Sequence, residues 1–251
     1  MFHEPDVPYI LNTINLAPQY DVNTVVFSHD IIGYASQLLD GSNRGARIVT
    51  LAKAAHAENL NAWIWVREFQ NVQPQFMANG KVQLDRRGFW EWLAYRYEQV
   101  FSRYPEFDGL MLTFDETPYR VFDTAKVESA LSMPDRFAEV MNVIDAVAVR
   151  HGKDFIVRSF VYEPQEMQWF KEGYAQTGKH VTIQTKCEPH DSALPTFRYA
   201  DEHLHISTMA KWYPNEGKYK GLEDRLLSPD PDLLEQIRAE RTRRSRWPTP
   251  R

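Results

Sequence analysis

The chain has 251 residues, 43% hydrophobic and 25% charged, with a formal net charge of −5, which fits one large core and argues against a general nucleic-acid or membrane-surface binder. Its single cysteine, Cys187, excludes an intrachain disulfide and a metal knuckle, and no apolar run approaches the roughly 20 residues that span a bilayer. With no signal-peptide pattern at the start, the expected location is cytoplasmic, and 13% aromatic residues suit either a large core or a sugar-stacking cleft.

Met1–Pro5 reads as the tail of a strand. Pro8 to Tyr20 follows as a helix with Ile10, Leu11, Ile14 and Leu16 on one stripe and Pro8 in the first turn. Asn23 to Ser28 is a strand ending at His29-Asp30, and Arg44 to Leu60 is a helix with Ile48, Leu51, Ala55 and Ala57 inward. Asn61 to Arg67 is a strand ending at Glu68, and Arg86 to Tyr104 is an aromatic-rich helix. Leu110 to Phe114 is a buried strand that runs into two adjacent carboxylates, Asp115 and Glu116. Pro134 to His151 is a helix closed by Gly152, and Asp154 to Tyr162 is a strand ending at Glu163-Pro164. A helix from Gln165 to Tyr174 leads to the strand His180–Cys187, which ends in Glu188-Pro-His-Asp191. His203 to Met209 reads as a last strand.

Strands alternating with helices imply a parallel sheet with helical crossovers. Connections before strands are short, as at Glu58–Asn61, Pro105–Asp108, His151–Asp154 and Thr177–His180. Connections after strands are long, as at Asp30–Asn43, Gln70–Asp85 and Thr117–Met133. One face therefore closes the fold and the other carries function. The fold class is α/β, a (β/α)8-type TIM barrel, favoured over an open doubly wound sheet because no glycine-rich phosphate loop follows an early strand. The strands named, with the remnant at Phe2, fall short of eight, so the expected domain is a single barrel over 1–239 lacking part of its first and last strands. Residues 240–251 are an Arg- and Pro-rich disordered tail.

Alternation along each strand assigns faces. Ala62, Ile64 and Val66 face the helices, leaving Trp63, Trp65 and Arg67 toward the barrel axis. Phe155, Val157 and Val161 face out, with Arg158 and Tyr162 inward. Val181, Ile183, Thr185 and Cys187 face out, with Thr182, Gln184, Lys186 and Glu188 inward. Thr113 and Asp115 point to the axis, and Glu116 sits at the rim. Arg67, Arg158 and Lys186 then require partners, since burying an unpaired charge costs several kcal/mol. Either they bridge to Asp115 or Glu188 as structural pairs, or they receive an anionic substrate. Trp65 and Tyr162 form a stacking wall for a sugar ring, and His29 and His190, at or beyond strand ends, complete the substrate-binding candidates.

Trp65-Val-Arg-Glu68, the run Gly109-Leu-Met-Leu-Thr-Phe-Asp-Glu-Thr117 and the segment Lys186-Cys-Glu-Pro-His-Asp191 together resemble bacterial glycoside-hydrolase-like barrels of the α-glucuronidase type, over most of residues 20–191. The resemblance implies hydrolysis of an acidic, uronic saccharide by carboxylate general acid/base catalysis, with an oligosaccharide or glycoside as partner and no cofactor. It makes Glu116, at the end of the fourth strand, the acid/base, with Asp115, Glu68 or Glu188 holding a water or the oxocarbenium charge. The chain departs from that pattern at 203–209, which ends in Met-Ala-Lys-Trp without an acid. Two other classes compete: a metal-dependent sugar isomerase or aldolase, which lacks a local two-histidine spacing, and a non-catalytic carbohydrate-binding barrel or inactive fragment.

Overall fold

The computed structural model describes residues 6–20, 22–27, 31–159, 161 and 164–184. In chain order the helices are α1 (Asp6–Leu16), α2 (Ser36–Leu39), α3 (Arg44–Ala57), α4 (Phe89–Arg103), α5 (Met133–Arg150) and α6 (Pro164–Tyr174). The strands are β1 (Thr24–Phe27), β2 (Asn61–Arg67), β3 (Met77–Ala78), β4 (Lys81–Gln83), β5 (Gly109–Thr113), β6 (Val127–Glu128), β7 (Asp154–Arg158) and β8 (Val181–Gln184). The expected strand remnant at Phe2, the strand 203–209 and the tail 240–251 lie outside the described residues.

The main sheet is parallel throughout, in the order β1-β2-β5-β7-β8. Its order follows the chain without reversal, so every crossover turns the same way and the helices collect on one side. Consecutive helices pack on each other, α4 on α5 and α5 on α6. A doubly wound sheet would reverse direction at a switch point and put helices on both faces. The architecture is therefore α/β with barrel-type winding, open at β1 and β8 among the described residues.

Strand parity sets the layers. Ala62, Ile64 and Val66 of β2, Leu110 and Leu112 of β5, Phe155 and Val157 of β7, and Val181 and Ile183 of β8 join the helix-side core. Each is at most 2% exposed, and burying such a side chain contributes about 1.5–3 kcal/mol. Helix α5 begins where the Ser132 hydroxyl accepts from the Asp135 N–H at 3.3 Å, an N-cap that satisfies an orphan donor. It ends before Gly152 at φ 62°, with Lys153 N–H bonded back to Ala148 at 2.9 Å.

The short connections before strands are fastened by histidine–carboxylate pairs. Asp108 accepts from the Ala62 N–H at 2.8 Å and lies 2.8 Å from His56, Glu98 lies 2.6 Å from His151, and Asp145 lies 2.6 Å from His180. The long connections after strands carry secondary structure of their own. Strands β3, β4 and β6 form a second small sheet in which β4, from the loop after β2, pairs with β6, from the loop after β5. Arg136 of α5 ties that loop down by donating to the carbonyls of Val127, Ser129 and Leu131.

Candidate active site

The chain leaves β5 through Phe114, whose ring enters the helix layer between Phe122, Phe137 and Phe170 at centroid distances of 5.6, 4.9 and 5.8 Å. Phe114 and Phe122 therefore pin both ends of a short excursion, and that excursion holds Asp115, Glu116 and Arg120. Glu116 is 22% exposed, whereas Asp115 is fully buried. Asp115 Oδ1 lies 3.5 Å from Arg120 Nε, and neither Asp115 oxygen has a hydrogen-bond donor among the described residues. Burial raises its pKa to about 7; Arg120 opposes the shift, and Glu166, Asp123 and Glu116 reinforce it. Arg120 also pairs with the buried Glu166 in the first turn of α6.

On the axis side of the sheet, Trp65 and Met111 are register partners, as are Arg67 and Thr113, and Arg158 and Gln184. The Trp65 indole N–H donates to Thr113 Oγ1 at 2.7 Å, which fixes the ring plane. The Arg158 guanidinium stacks on that ring at 4.2 Å from its centroid, its Nε donates to Gln184 Oε1 at 3.0 Å, and its Nη1 lies 3.8 Å from Glu116 Oε2. Trp65, Thr113, Arg158 and Gln184 are each buried, so Glu116 is the most exposed member of the group. The arrangement places an accessible carboxylate beside a fixed cation and an aromatic plate.

Of the residues singled out in the sequence, Trp65, Arg158 and Glu116 thus come together, with Arg67 half-buried in register with Thr113, whereas Asp115 adjoins Glu116 in the chain and has its ion pair with Arg120. Glu68 is placed elsewhere. It is 1% exposed; Oε1 accepts from the Phe69 N–H at 2.8 Å and from Arg96 of α4, and Oε2 accepts from the Tyr97 hydroxyl. Burial, then the Glu68 charge, push the Tyr97 hydroxyl pKa well above its usual value. His29, Tyr162, Lys186, Glu188 and His190 lie outside the described residues. Sequence reasoning missed Arg120 and Glu166, and also the way Gln184 anchors Arg158. Arg120 sits in a long loop without periodicity, and nothing local to it announces a partner on α6.

Among the described residues no three His, Cys, Asp or Glu side chains gather as a metal site, and no helix is long and apolar enough to cross a membrane. No family model matches the chain, and no curated protein matches it. Solved structures with a similar chain path include CpGH84B, at 12% identity and TM-score 0.48 over 72% of this chain and 30% of that one. A β-glucosidase, 1317, is similar at 12% identity and TM-score 0.48, over 72% of this chain and 55% of its own. D-psicose 3-epimerase from Clostridium cellulolyticum H10 is similar at 14% identity and TM-score 0.45, over 89% of this chain and 75% of that one. The chain thus spans 30% and 55% of the first two proteins.

Proposed function

We propose that the chain cleaves a glycosidic bond in an acidic, uronic saccharide, with Glu116 as the proton donor and acceptor. The observation that carries this reading is the half-buried Glu116 carboxylate at the carboxyl end of β5, 3.8 Å from an Arg158 whose guanidinium carbon lies 4.2 Å from the Trp65 ring centroid. Hydrolysis of a glycoside needs a carboxyl group that gives its proton to the leaving oxygen and a second group that meets the positive charge developing on the sugar. Glu116 has the exposure for the first role. Asp115 precedes it in the chain, and burial raises its pKa to about 7, which limits the negative charge beside Glu116. Glu68, with its oxygens occupied by Phe69, Arg96 and Tyr97, acts in this reading as a support for the end of β2.

Arg158, 3% exposed, brings a positive charge that an anionic group can meet at the Glu116 rim, and Trp65, 5% exposed, backs that charge. Lys186, assigned to the same face by strand alternation in the sequence, adds a second cation. A uronic sugar offers an anionic group, which suits that charge. The test is hydrolysis of aryl-glycosides by the purified chain. Glu116→Gln is expected to lower kcat by about 10²–10⁴-fold while ligand binding persists. Arg158→Met is expected to raise KM for an aryl-uronide more than it raises KM for a neutral aryl-glycoside. Unaltered turnover in Glu116→Gln overturns the proton-donor role, and equal binding of uronic and neutral glycosides overturns the cationic pocket.

A further inference from the structure

The axis face of the sheet carries two arginines at its carboxyl end, and they are held very differently. Parity puts Arg67 on the same side of β2 as Trp65, because Ala62, Ile64 and Val66 join the helix-side core. Arg67 pairs in register with Thr113 of β5, and Arg158 stands one step past the Leu112–Val157 pair on the far side of that strand. The two arginines therefore flank Thr113, roughly 10 Å apart at Cα, and Glu116 follows a few positions beyond it in the chain.

Elsewhere in the described residues, an arginine that is not fully exposed has its guanidinium met. Arg44 donates to the Ile31 carbonyl at 2.5 Å, Arg96 pairs with Glu68, and Arg136 donates to the carbonyls of Val127, Ser129 and Leu131. Arg158 meets Glu116, Gln184 and the Trp65 ring. Arg67 is the exception: its half-buried side chain has no hydrogen bond, ion pair or ring contact among the described residues. Its backbone, by contrast, is fixed. The Arg67 N–H donates to Gly33 at 2.9 Å, the Glu68 N–H donates to Thr113 at 2.9 Å, and the Glu68 carboxylate is locked by Phe69, Arg96 and Tyr97. A partly desolvated guanidinium without an acceptor is costly to keep, and one on a rigid base receives an anion at small entropic cost.

We infer that Arg67 is the specificity-determining residue of the site: it receives the carboxylate of a uronic sugar whose glycosidic bond lies at Glu116. This role rests on the reading of the chain as acting on an acidic saccharide, and it gives that acid its direct partner. A sugar lying across the end of β5 has the Glu116–Arg158 pair on its β7 side and Arg67 on its β2 side. Arg158 is 3% exposed and already engaged, so it adds charge from behind the rim. Arg67 has the exposure and the free donors for direct contact. Two parallel N–H groups of a guanidinium match the two oxygens of a carboxylate, and the hydroxymethyl group of a neutral sugar offers no such pair.

The experiment is calorimetric binding of methyl glycosides to the whole chain. The probes are the glucuronate and galacturonate forms beside their neutral counterparts, which carry a hydroxymethyl group in place of the carboxylate. Arg67→Met keeps an aliphatic stem and removes the charge. It is expected to weaken binding of the uronide that the wild type prefers by about 10–100-fold, and of the matching neutral glycoside by less than about twofold. Arg67→Lys is expected to recover part of the affinity, because it keeps the charge and loses the fork. Since no partner is lost, the urea midpoint of Arg67→Met should match that of the wild type, unlike that of Arg158→Met. Uronide affinity that is unchanged in Arg67→Met, or that falls no more than neutral affinity, overturns the inference. A markedly lower urea midpoint does the same, because it shows the guanidinium committed to the fold. A sulfated methyl glycoside that binds the wild type more tightly than either uronide overturns the carboxylate assignment. A wild type that binds uronides but cleaves no aryl-uronide defeats the proposed hydrolysis and leaves the role of Arg67 standing. Aryl-uronide hydrolysis at unaltered KM in Arg67→Met defeats the role of Arg67 alone, and a wild type that binds no uronide defeats both.

Discussion

The Arg158 guanidinium lies over the Trp65 indole, 4.2 Å from the ring centroid, although the two residues come from strands that are not neighbours. The strand between them, β5, holds the ring in place through Thr113, and β8 holds the guanidinium through Gln184. Four strands of the sheet therefore contribute to one cation–aromatic plate.

That plate carries its own energetic signature. A desolvated cation–π contact is worth about 2 kcal/mol. A double-mutant cycle with Trp65→Leu and Arg158→Met is expected to give a coupling energy of about 1–2 kcal/mol in urea unfolding. Additive effects of the two changes would show that the stacking contributes nothing to stability.

Asp115 makes stability depend on pH in a direction opposite to that of most carboxylates. Its folded pKa, about 7, lies above the ordinary value of 3.8, so the unfolded chain releases the proton first as pH rises. Its favourable contribution is complete below pH 3.8 and is lost as pH climbs toward 7, by on the order of 4 kcal/mol in all. Above pH 7 the loss levels off. Relative to the wild type, Asp115→Asn is expected to gain stability steadily between pH 4.5 and 6.5 and to level off above pH 7, read from urea midpoints at fixed ionic strength. A difference that does not vary with pH would refute the raised pKa.

Glu68 and Arg96 form a buried pair whose members are 1% and 7% exposed. Removing one charge strands the other, so Arg96→Met is expected to cost about 3–5 kcal/mol. Adding Glu68→Leu to Arg96→Met is expected to recover part of that loss, because no charge is then left uncompensated. Thermal unfolding of the two single variants and the double variant checks both statements.

Gly109 meets Trp63 across the sheet, and a Cβ at 109 would come within 2.7 Å of the indole ring. Gly109→Ala is expected to destabilise the fold by about 1–3 kcal/mol through displacement of that ring. The smaller ring in Trp63→Phe should relieve part of the cost, as measured by denaturant midpoint in both backgrounds.

The main strands and helices were legible in the chain because their signals are local. In Ala62–Arg67 and Phe155–Arg158 alternation alone assigns each side chain to a face, and the structure keeps that assignment. Helix α5 announces itself through Gly152 beyond its end, while its start, expected at Pro134, lies at Met133 behind the Ser132 cap. Boundaries moved where backbone geometry intervened: the helix expected over Arg86–Tyr104 begins at Phe89, because Gly88 takes φ 86° just before it. The small sheet of β3, β4 and β6 has no signature in the sequence, since strands of two or three residues are too short to show a period.

Pairing was another matter. Sequence established which side chains are ionisable, and parity established which face each strand residue takes. It could not say that Glu68 belongs with Arg96, 28 positions away, or that Arg120 is shared between Asp115 and Glu166, 46 positions beyond it. A carboxylate at a strand end looks the same in one dimension whether its charge is met by a helix behind the sheet or left at the mouth. Only the packing of α4 and α6 against the sheet decides between those environments, because Coulomb attraction and desolvation depend on distance and burial in space and not on separation along the chain.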